Sequence, residues 1–292
     1  MEINICFAAN NRYVPHAAVL VTSIMENKAP EDELSIHFFS DKTTLKVQET
    51  FRQMSKDMGF NLSIYPMSDE MFAKFPTFNR GRTAYFRLSM HRALPNSLKT
   101  ILYLDVDMIV MTSLSNLCST DISEHYAAVV PDPFVQDRNF LAVFNPPPYF
   151  NSGMMLLNLE KYRSEHMEDK AMQFGNKHLD LLHFPDQDIL NGIFEGKVVY
   201  LTTKYNDMGR TVESDTSIAH YGLVKPWHYQ CNHPHKAFYW KYACKTPFYR
   251  QIVFIYYFSY VKVFLRRMQQ VVKKFVIEPL KTLSSAQRVR GT

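Results

Sequence analysis

The 292-residue chain is expected to fold as an α/β protein with a mostly parallel sheet and helices packed on its faces. Two observations carry that prediction. The first 65 residues alternate strand-like and helix-like segments in the order β-α-β-α-β, which favours parallel strands joined by helical crossovers. Further on, the apolar run Thr100-Ile101-Leu102-Tyr103-Leu104 closes on two carboxylates, Asp105 and Asp107, and ligands in open α/β sheets bind at the carboxyl ends of strands.

Residues 2–9 read as the first strand. Residues 13–27 carry Ala17, Ala18, Leu20, Val21 and Ile24 at helical spacing until Lys28-Ala29-Pro30 stops them. A second strand is expected at 34–40, a second helix at 42–59 ended by Gly59, and a third strand at 61–65. Residues 83–93 look helical, and the strand bearing Asp105 and Asp107 follows. Further strands are expected at 126–131 and 154–159, the latter introduced by Asn151-Ser152-Gly153, with the turn Asn145-Pro146-Pro147-Pro148 between them. No internal repeat and no Gly/Ser-rich linker divides the body, so one domain is expected over 1–246, followed by a distinct tail at 247–292.

This length suits one large α/β domain, or two small ones. With 46% apolar and 21% charged residues, wholesale disorder is excluded. The net charge of +5 is uneven: from residue 247 onward nine Lys/Arg face one acid, so the tail carries +8 and the body −3. Cys6, Cys118, Cys231 and Cys244 are far apart and form no Cys-x-x-Cys pair, which fits reduced thiols in a cytosolic protein. The N-terminus enters a strand directly, without a basic or apolar leader, so no secretion signal is expected.

Asp105 and Asp107 sit two apart, where strand side chains point the same way. Like charges held together at the end of an apolar strand are costly unless a cation lies between them. The alternative is a pair of solvated turn aspartates, but the chain resumes at once with the apolar run 108–111. Asp186-Gln187-Asp188 precedes an apolar run and is expected at a helix start, where capping alone explains one of the two acids. His220-Tyr221-Gly222 with Lys225 and Trp227 combines an imidazole, a glycine that admits a close ligand and a lysine suited to phosphate. His228, Cys231, His233 and His235 match no usual structural-zinc spacing and are expected to form a polar loop.

Together these segments resemble glycosyltransferase family 8, the retaining enzymes that include glycogenin and the bacterial lipopolysaccharide galactosyl- and glucosyltransferases. The matching stretches run from residue 3 to 228: 7–10, Thr83 to Leu88 with Arg87, Tyr103 to Asp107, 150–159, Asp186 to Gly192, and His220 to Trp227. The resemblance implies a GT-A-type, Rossmann-like nucleotide-sugar-binding domain with a mixed, mostly parallel sheet. It also implies a UDP-hexose donor and Mn²⁺ held by Asp105, Asp107 and His220. One imidazole with two carboxylates favours Mn²⁺ over Mg²⁺, though Mg²⁺ is possible. By the same resemblance Ala8, Asn10 and Tyr13 surround the uridine, Val106 and Gly222 line the nucleotide, and Arg87 and Lys225 lie near the diphosphate or sugar. Asn151, Asp186 and Gln187 surround the donor sugar, with the Gln187 carbonyl on the face opposite attack and Asp186 as the fallback nucleophile. The chain departs from many bacterial members in having Asn10-Asn11 where they carry an acidic pair, and in a shorter loop after His220.

In the tail, Phe254, Tyr257, Phe258, Val261, Phe264, Leu265, Met268, Val271, Val272, Phe275 and Val276 recur at helical spacing. Lys262, Arg266, Arg267, Lys273 and Lys274 fall opposite. The uncharged run is too short to span a bilayer. A basic amphipathic helix lying on an anionic membrane is expected, at the inner face of the cytoplasmic membrane, where a saccharide or glycolipid acceptor would be found, with a helix packed on the body and a solvated basic face as the alternative. No nucleic-acid motif accompanies the charge. The leading function is therefore a hexosyltransferase acting on a lipopolysaccharide or capsule precursor. A nucleotidyltransferase using the Asp-x-Asp site and a non-catalytic membrane-bound sugar-binding protein are the alternatives.

Overall fold

Strand β1 (Glu2–Asn10), helix α1 (Val14–Asn27), strand β2 (Glu33–Asp41), helix α2 (Leu45–Met58) and strand β3 (Asn61–Pro66) follow one another as the alternation predicts. The computed structural model describes residues 1–77, 81–135, 148–210, 215–222 and 224–273. Residues 145–147 of the proline-rich turn, and the tail from 274 onward with Phe275 and Val276, lie outside them.

Local chemistry sets the early boundaries. The Asn10 side-chain carbonyl accepts the N–H groups of Arg12 (3.0 Å) and Tyr13 (3.3 Å), which turns the chain into α1. Helix α2 starts later than expected because Thr44 caps it, accepting from Val47 N at 3.4 Å. It ends at Gly59, whose φ of 75° is the left-handed conformation that glycine adopts without strain. Residues 83–93 are helical but broken: α3 (Phe86–Ser89) is flanked by 3₁₀ turns at Thr83–Tyr85 and Met90–Arg92. Side chains compete for the carbonyls that would continue the ladder, with Arg87 Nε donating to Ala84 O and the Tyr162 hydroxyl donating to Leu88 O.

Beyond these come β4 (Thr100–Leu104), β5 (Met108–Val110), α4 (Ser115–Cys118), β6 (Ala127–Pro131), β7 (Phe150–Asn158), α5 (Leu159–Ser164), α6 (Met167–Lys177) and α7 (Pro185–Phe194). Last are β8 (Val198–Tyr200), β9 (Ile218–His220), α8 (Lys236–Ala243) and α9 (Tyr249–Val272). Among the described residues the main sheet runs β3-β2-β1-β4-β7-β6-β8, with only β7 reversed. One apolar layer packs α1, α2, α8 and the start of α9 against one face of the sheet. The other packs α5, α6 and α7 against the opposite face. Every residue of β7 is buried, as expected of a strand covered on both faces.

The strand expected at 154–159 begins instead at Phe150, so Asn151, Ser152 and Gly153 lie inside it rather than before it. The Asn191 side chain pairs with both the N–H and the C=O of Phe150 (2.9 Å each), and a register shift between Val129 and Val130 brings Pro131 opposite Phe150. The extension matters because β7 is antiparallel to β4. Its beginning therefore lies beside the end of β4, and Asp105 N donates to Gly153 O at 2.7 Å.

Candidate active site

The carboxyl ends of β1, β4 and β6, the start of β7 and the first turn of α7 meet at one edge of the sheet. They enclose a cleft of about 450 Å³. All thirteen residues singled out in the sequence line it: Ala8, Asn10, Tyr13, Arg87, Asp105, Val106, Asp107, Asn151, Asp186, Gln187, His220, Gly222 and Lys225.

His220 arrives through a second, two-stranded sheet in which β5 pairs antiparallel with β9, placing Met108 opposite His220. Tyr221 N then donates to Asp107 O at 3.0 Å. One ligand atom each from Asp105, Asp107 and His220 lies within 4.8 Å of the others, and no other such cluster occurs among the described residues. Among the described residues, His228, Cys231, His233 and His235 do not converge on a metal-binding cluster. His235 Nε2 is instead 3.0 Å from Asp207 Oδ2, and the four cysteines are free thiols.

The donor set fits a divalent cation. A half-buried carboxylate, Asp105, faces the buried Asp107 carboxylate and the buried His220 imidazole, and Gly153 leaves the space between them open. A Cβ there would lie 2.7 Å from His220 Cε1 and 2.9 Å from Asp105 Oδ2. Burial alone would raise the Asp107 carboxyl, but Lys225 and His220 outweigh it and hold the group well below the carboxylate range. Asp105 moves the other way, raised by burial and by Asp107 despite Arg87. Two carboxylates pulled apart in this manner mark a site that gathers positive charge.

Arg87 is buried and acts as a strut. Its Nη2 donates to Asp105 Oδ1 at 2.7 Å, Nη1 to Ser152 O at 2.6 Å and Ser152 Oγ at 2.9 Å, and Nε lies 3.2 Å from Asp186 Oδ2. Burial disfavours its charge, yet Asp105, Tyr103 and Asp186 more than offset this. Lys225 folds over its own loop, pairing with Asp107 and donating to Tyr221 O and Gly222 O (2.9 Å each).

The Asp186-Gln187-Asp188 triplet divides its work as the helix-start reading anticipates. Fully buried Asp188 ties the segment before α7 back onto the helix, accepting from His183 N (2.7 Å), Phe184 N (2.8 Å) and the Tyr149 hydroxyl. Asp186 and Gln187 face the cleft. Gln187 Oε1 accepts from Ser152 N (3.0 Å) and Asn151 Nδ2 (3.1 Å). Both amides also donate to Asp132 Oδ2, at 3.0 Å from Asn151 and 3.1 Å from Gln187.

Asp132 and Asn206 were not anticipated. Asp132 follows the apolar strand β6 as Asp105 follows β4, a signal the sequence did contain. Asn206 lies in an irregular segment after a 3₁₀ turn, where no residue pattern marks it.

A mostly parallel sheet with an Asp-x-Asp pair, a distant histidine and buried amides at its carboxyl edge is the architecture of a GT-A-type glycosyltransferase. The family model for glycosyl transferase family 8 matches residues 4–231, and the chain belongs to that family. A lipopolysaccharide 1,2-glucosyltransferase of Escherichia coli is 27% identical over 253 residues, covering 79% of this chain and 74% of that protein. A lipopolysaccharide 1,3-galactosyltransferase of Salmonella typhimurium is 25% identical over 248 residues, covering 78% of this chain and 73% of its own length. Among solved structures, galactosyltransferase LgtC in complex with donor and acceptor sugar analogs matches with a TM-score of 0.76 and 25% identity. That match covers 85% of this chain and 96% of the other. No described helix is long and apolar enough to cross a membrane.

Proposed function

We propose that this chain is a retaining hexosyltransferase that moves glucose or galactose from a UDP-sugar to a saccharide acceptor on a lipopolysaccharide or capsule precursor. The observation that carries the proposal is the convergence of Asp105, Asp107 and His220, from separate parts of the chain, at the cleft where the sheet exposes its strand ends. These three residues would hold Mn²⁺, which when bound neutralises charge on the departing diphosphate.

The remaining roles fall to the chain's own groups. Ala8, Asn10 and Tyr13, at and just beyond the end of β1, would take the base and ribose, and the backbone at Val106 and Gly222 would adjoin the nucleotide; all five line the cleft. Lys225 supplies a positive charge beside Asp107, where a diphosphate would approach. Arg87 keeps Asp105 and Asp186 in place. Asn151 and Gln187 line the donor-sugar side, with amides that read hydroxyl groups. The acceptor hydroxyl would attack the anomeric carbon from the face that UDP leaves, so that the new C–O bond forms as the bond from that carbon to the β-phosphate oxygen breaks, the hydroxyl proton passes to that departing oxygen, and configuration is retained. Gln187 Oε1, held by two donors, lends electron density on the opposite face. Asp186 is the alternative nucleophile for a double displacement, and trapping a glycosyl-Asp186 adduct would select it.

The amphipathic helix α9 extends this reading to the membrane. Residues 1–246 would form the transferase domain and 247–292 a tail that rests on anionic lipid at the cytoplasmic membrane, where a lipid-linked acceptor is presented. The test of the activity is a donor screen that measures UDP release with and without Mn²⁺. Metal-dependent release from UDP-glucose or UDP-galactose, abolished in a folded Asp107→Ala protein, is expected. Release that ignores the metal would overturn the site assignment.

A further inference from the structure

Hydrogen-bond polarity around the site can be assigned from groups whose roles are fixed. The Gly153 backbone N–H can only donate, and it lies 3.0 Å from Asn151 Oδ1. The Asp132 carboxylate, facing two amides, accepts from Asn151 Nδ2. Asn151 is therefore oriented without ambiguity, with its oxygen toward Gly153. That same oxygen lies 3.0 Å from the Asn206 amide nitrogen. Asn206 must donate there, which turns its own oxygen toward His220 Nδ1 at 2.9 Å. An amide oxygen can only accept, so Nδ1 carries a proton whatever the charge on the ring, and in the neutral ring the lone pair is on Nε2. Nε2 faces Asp107 Oδ1 at 3.5 Å. With the ring neutral, two electron-rich atoms face each other across that gap, an arrangement a bound cation stabilises.

We infer that Asn206 is a positioning residue that fixes His220 in its metal-ligating tautomer and, through the same amide, ties the imidazole to the donor-sugar residue Asn151. Asn206 is almost fully buried, with 2% of its surface exposed, and takes no place in the cleft wall. It acts through its two neighbours. Metal-bound histidines characteristically donate their other ring N–H to an oxygen acceptor, which fixes ring orientation and raises ligand basicity. Here the acceptor is an amide whose nitrogen side reaches onward, so the imidazole and Asn151 are held by one planar group. The inference rests on the reading of His220 as a metal ligand.

The test begins on the metal-free protein with ¹⁵N spectra of the histidine rings at about pH 8, where ordinary imidazoles are neutral. Neutral His220 is expected as the Nδ1–H form, with that bias lost in Asn206→Ala. An Nε2–H form in the wild type would overturn the inference. Mn²⁺ titration by calorimetry then separates the two ends of the amide. Asn206→Ala is expected to weaken binding ~10–100-fold. Asn206→Asp keeps an acceptor for Nδ1–H but loses the donor to Asn151, so it should bind Mn²⁺ within about threefold of wild type while the KM for donor rises. Wild-type affinity in a folded Asn206→Ala protein, or equal loss of Mn²⁺ binding in both variants, would overturn the assignment to Asn206. Failure of the wild type itself to bind Mn²⁺ would instead overturn the metal reading.

Discussion

His220 Nε2 stands 3.5 Å from Asp107 Oδ1 because β5 and β9 pair in a register that sets Met108 opposite His220. The strand carrying one half of the site is thus clamped to the strand carrying the other. Replacing Asp107 by Asn preserves the shape of the side chain and removes its charge. Mn²⁺ binding should be lost and the rate of UDP release should fall at least ~10²-fold, while circular dichroism reports an unchanged fold. Activity near the wild-type level in Asp107→Asn would contradict the role given to this carboxylate.

Gly153 gives a steric counterpart to that experiment. Its missing side chain is the space between Asp105, Asn151 and His220, and an added Cβ would meet Asn151 Oδ1 at 2.9 Å as well as His220 and Asp105. Overpacking of this kind costs about 1–3 kcal/mol. Gly153→Ala should lower the melting temperature modestly and reduce activity by a larger factor than it reduces stability. A fully active Gly153→Ala enzyme would show that these side chains need not stay where they are.

The two acids of the 186–188 triplet should separate cleanly. Asp188→Ala removes the acceptor shared by two backbone N–H groups and a buried tyrosine hydroxyl, a loss of about 3–5 kcal/mol. Asp186→Asn removes only the charge facing Arg87 and the cleft, so its thermal unfolding should shift by no more than a few degrees while turnover falls at least ~10²-fold. Thermal melts and UDP release measured on both proteins check this, and a reversed pattern would mean that the two roles were exchanged.

What the residue pattern revealed of this site follows from how local its determinants are. Asp105 and Asp107 announced themselves because an apolar strand ended in paired charge. The helix start was visible because the acids at 186 and 188, just before an apolar run, suit the positive end of a helix. The reversal of β7 was not visible, because antiparallel pairing beside β4 is set by contacts distant in sequence. The same blindness hid Asn206, whose importance is a matter of which groups surround it, and it placed the start of β7 four residues late. Asp132 could have been found by applying to β6 the argument used for β4.

Acid should weaken the fold through histidines that are neutral when buried. Burial, aided by Arg163 and Arg92, pushes His91 down to about 4; burial, outweighing Asp207, does the same to His233. In the unfolded chain both titrate near 6.5, so between those values the unfolded state binds more protons. Stability is therefore complete above about pH 6.5 and falls as pH drops toward 4, by on the order of 1–2 kcal/mol for each ring once solvent screening is allowed for. Urea midpoints across this range should show the decline, and His91→Gln should flatten it. An unaltered slope in that variant would remove His91 from the explanation.

The tail helix separates into two faces with different work. Ile252 is fully buried, Phe248 is nearly so, and Ile255 packs against the same core, while the Ser259 hydroxyl accepts from Tyr229 N at 2.8 Å. The residues of the expected apolar stripe point elsewhere: Phe254 is 71% exposed, Phe258 63% and Phe264 52%. Removing 247–292 would therefore uncover the core as well as the stripe, and loss of vesicle binding after that deletion would be ambiguous. Substituting Phe254, Phe258 and Phe264 by Ser leaves the packed face intact. If the exposed stripe enters the headgroup region beside Lys262, Arg266 and Arg267, the triple variant should lose binding to vesicles containing anionic lipid while keeping its melting temperature and its metal-dependent UDP release. Replacing the three cations by Gln should cost about 1 kcal/mol for each charge near the surface, and the loss should vanish on neutral vesicles. Sedimentation with vesicles of both compositions measures these differences, and undiminished binding by the triple Ser variant would remove the membrane from the account of this helix.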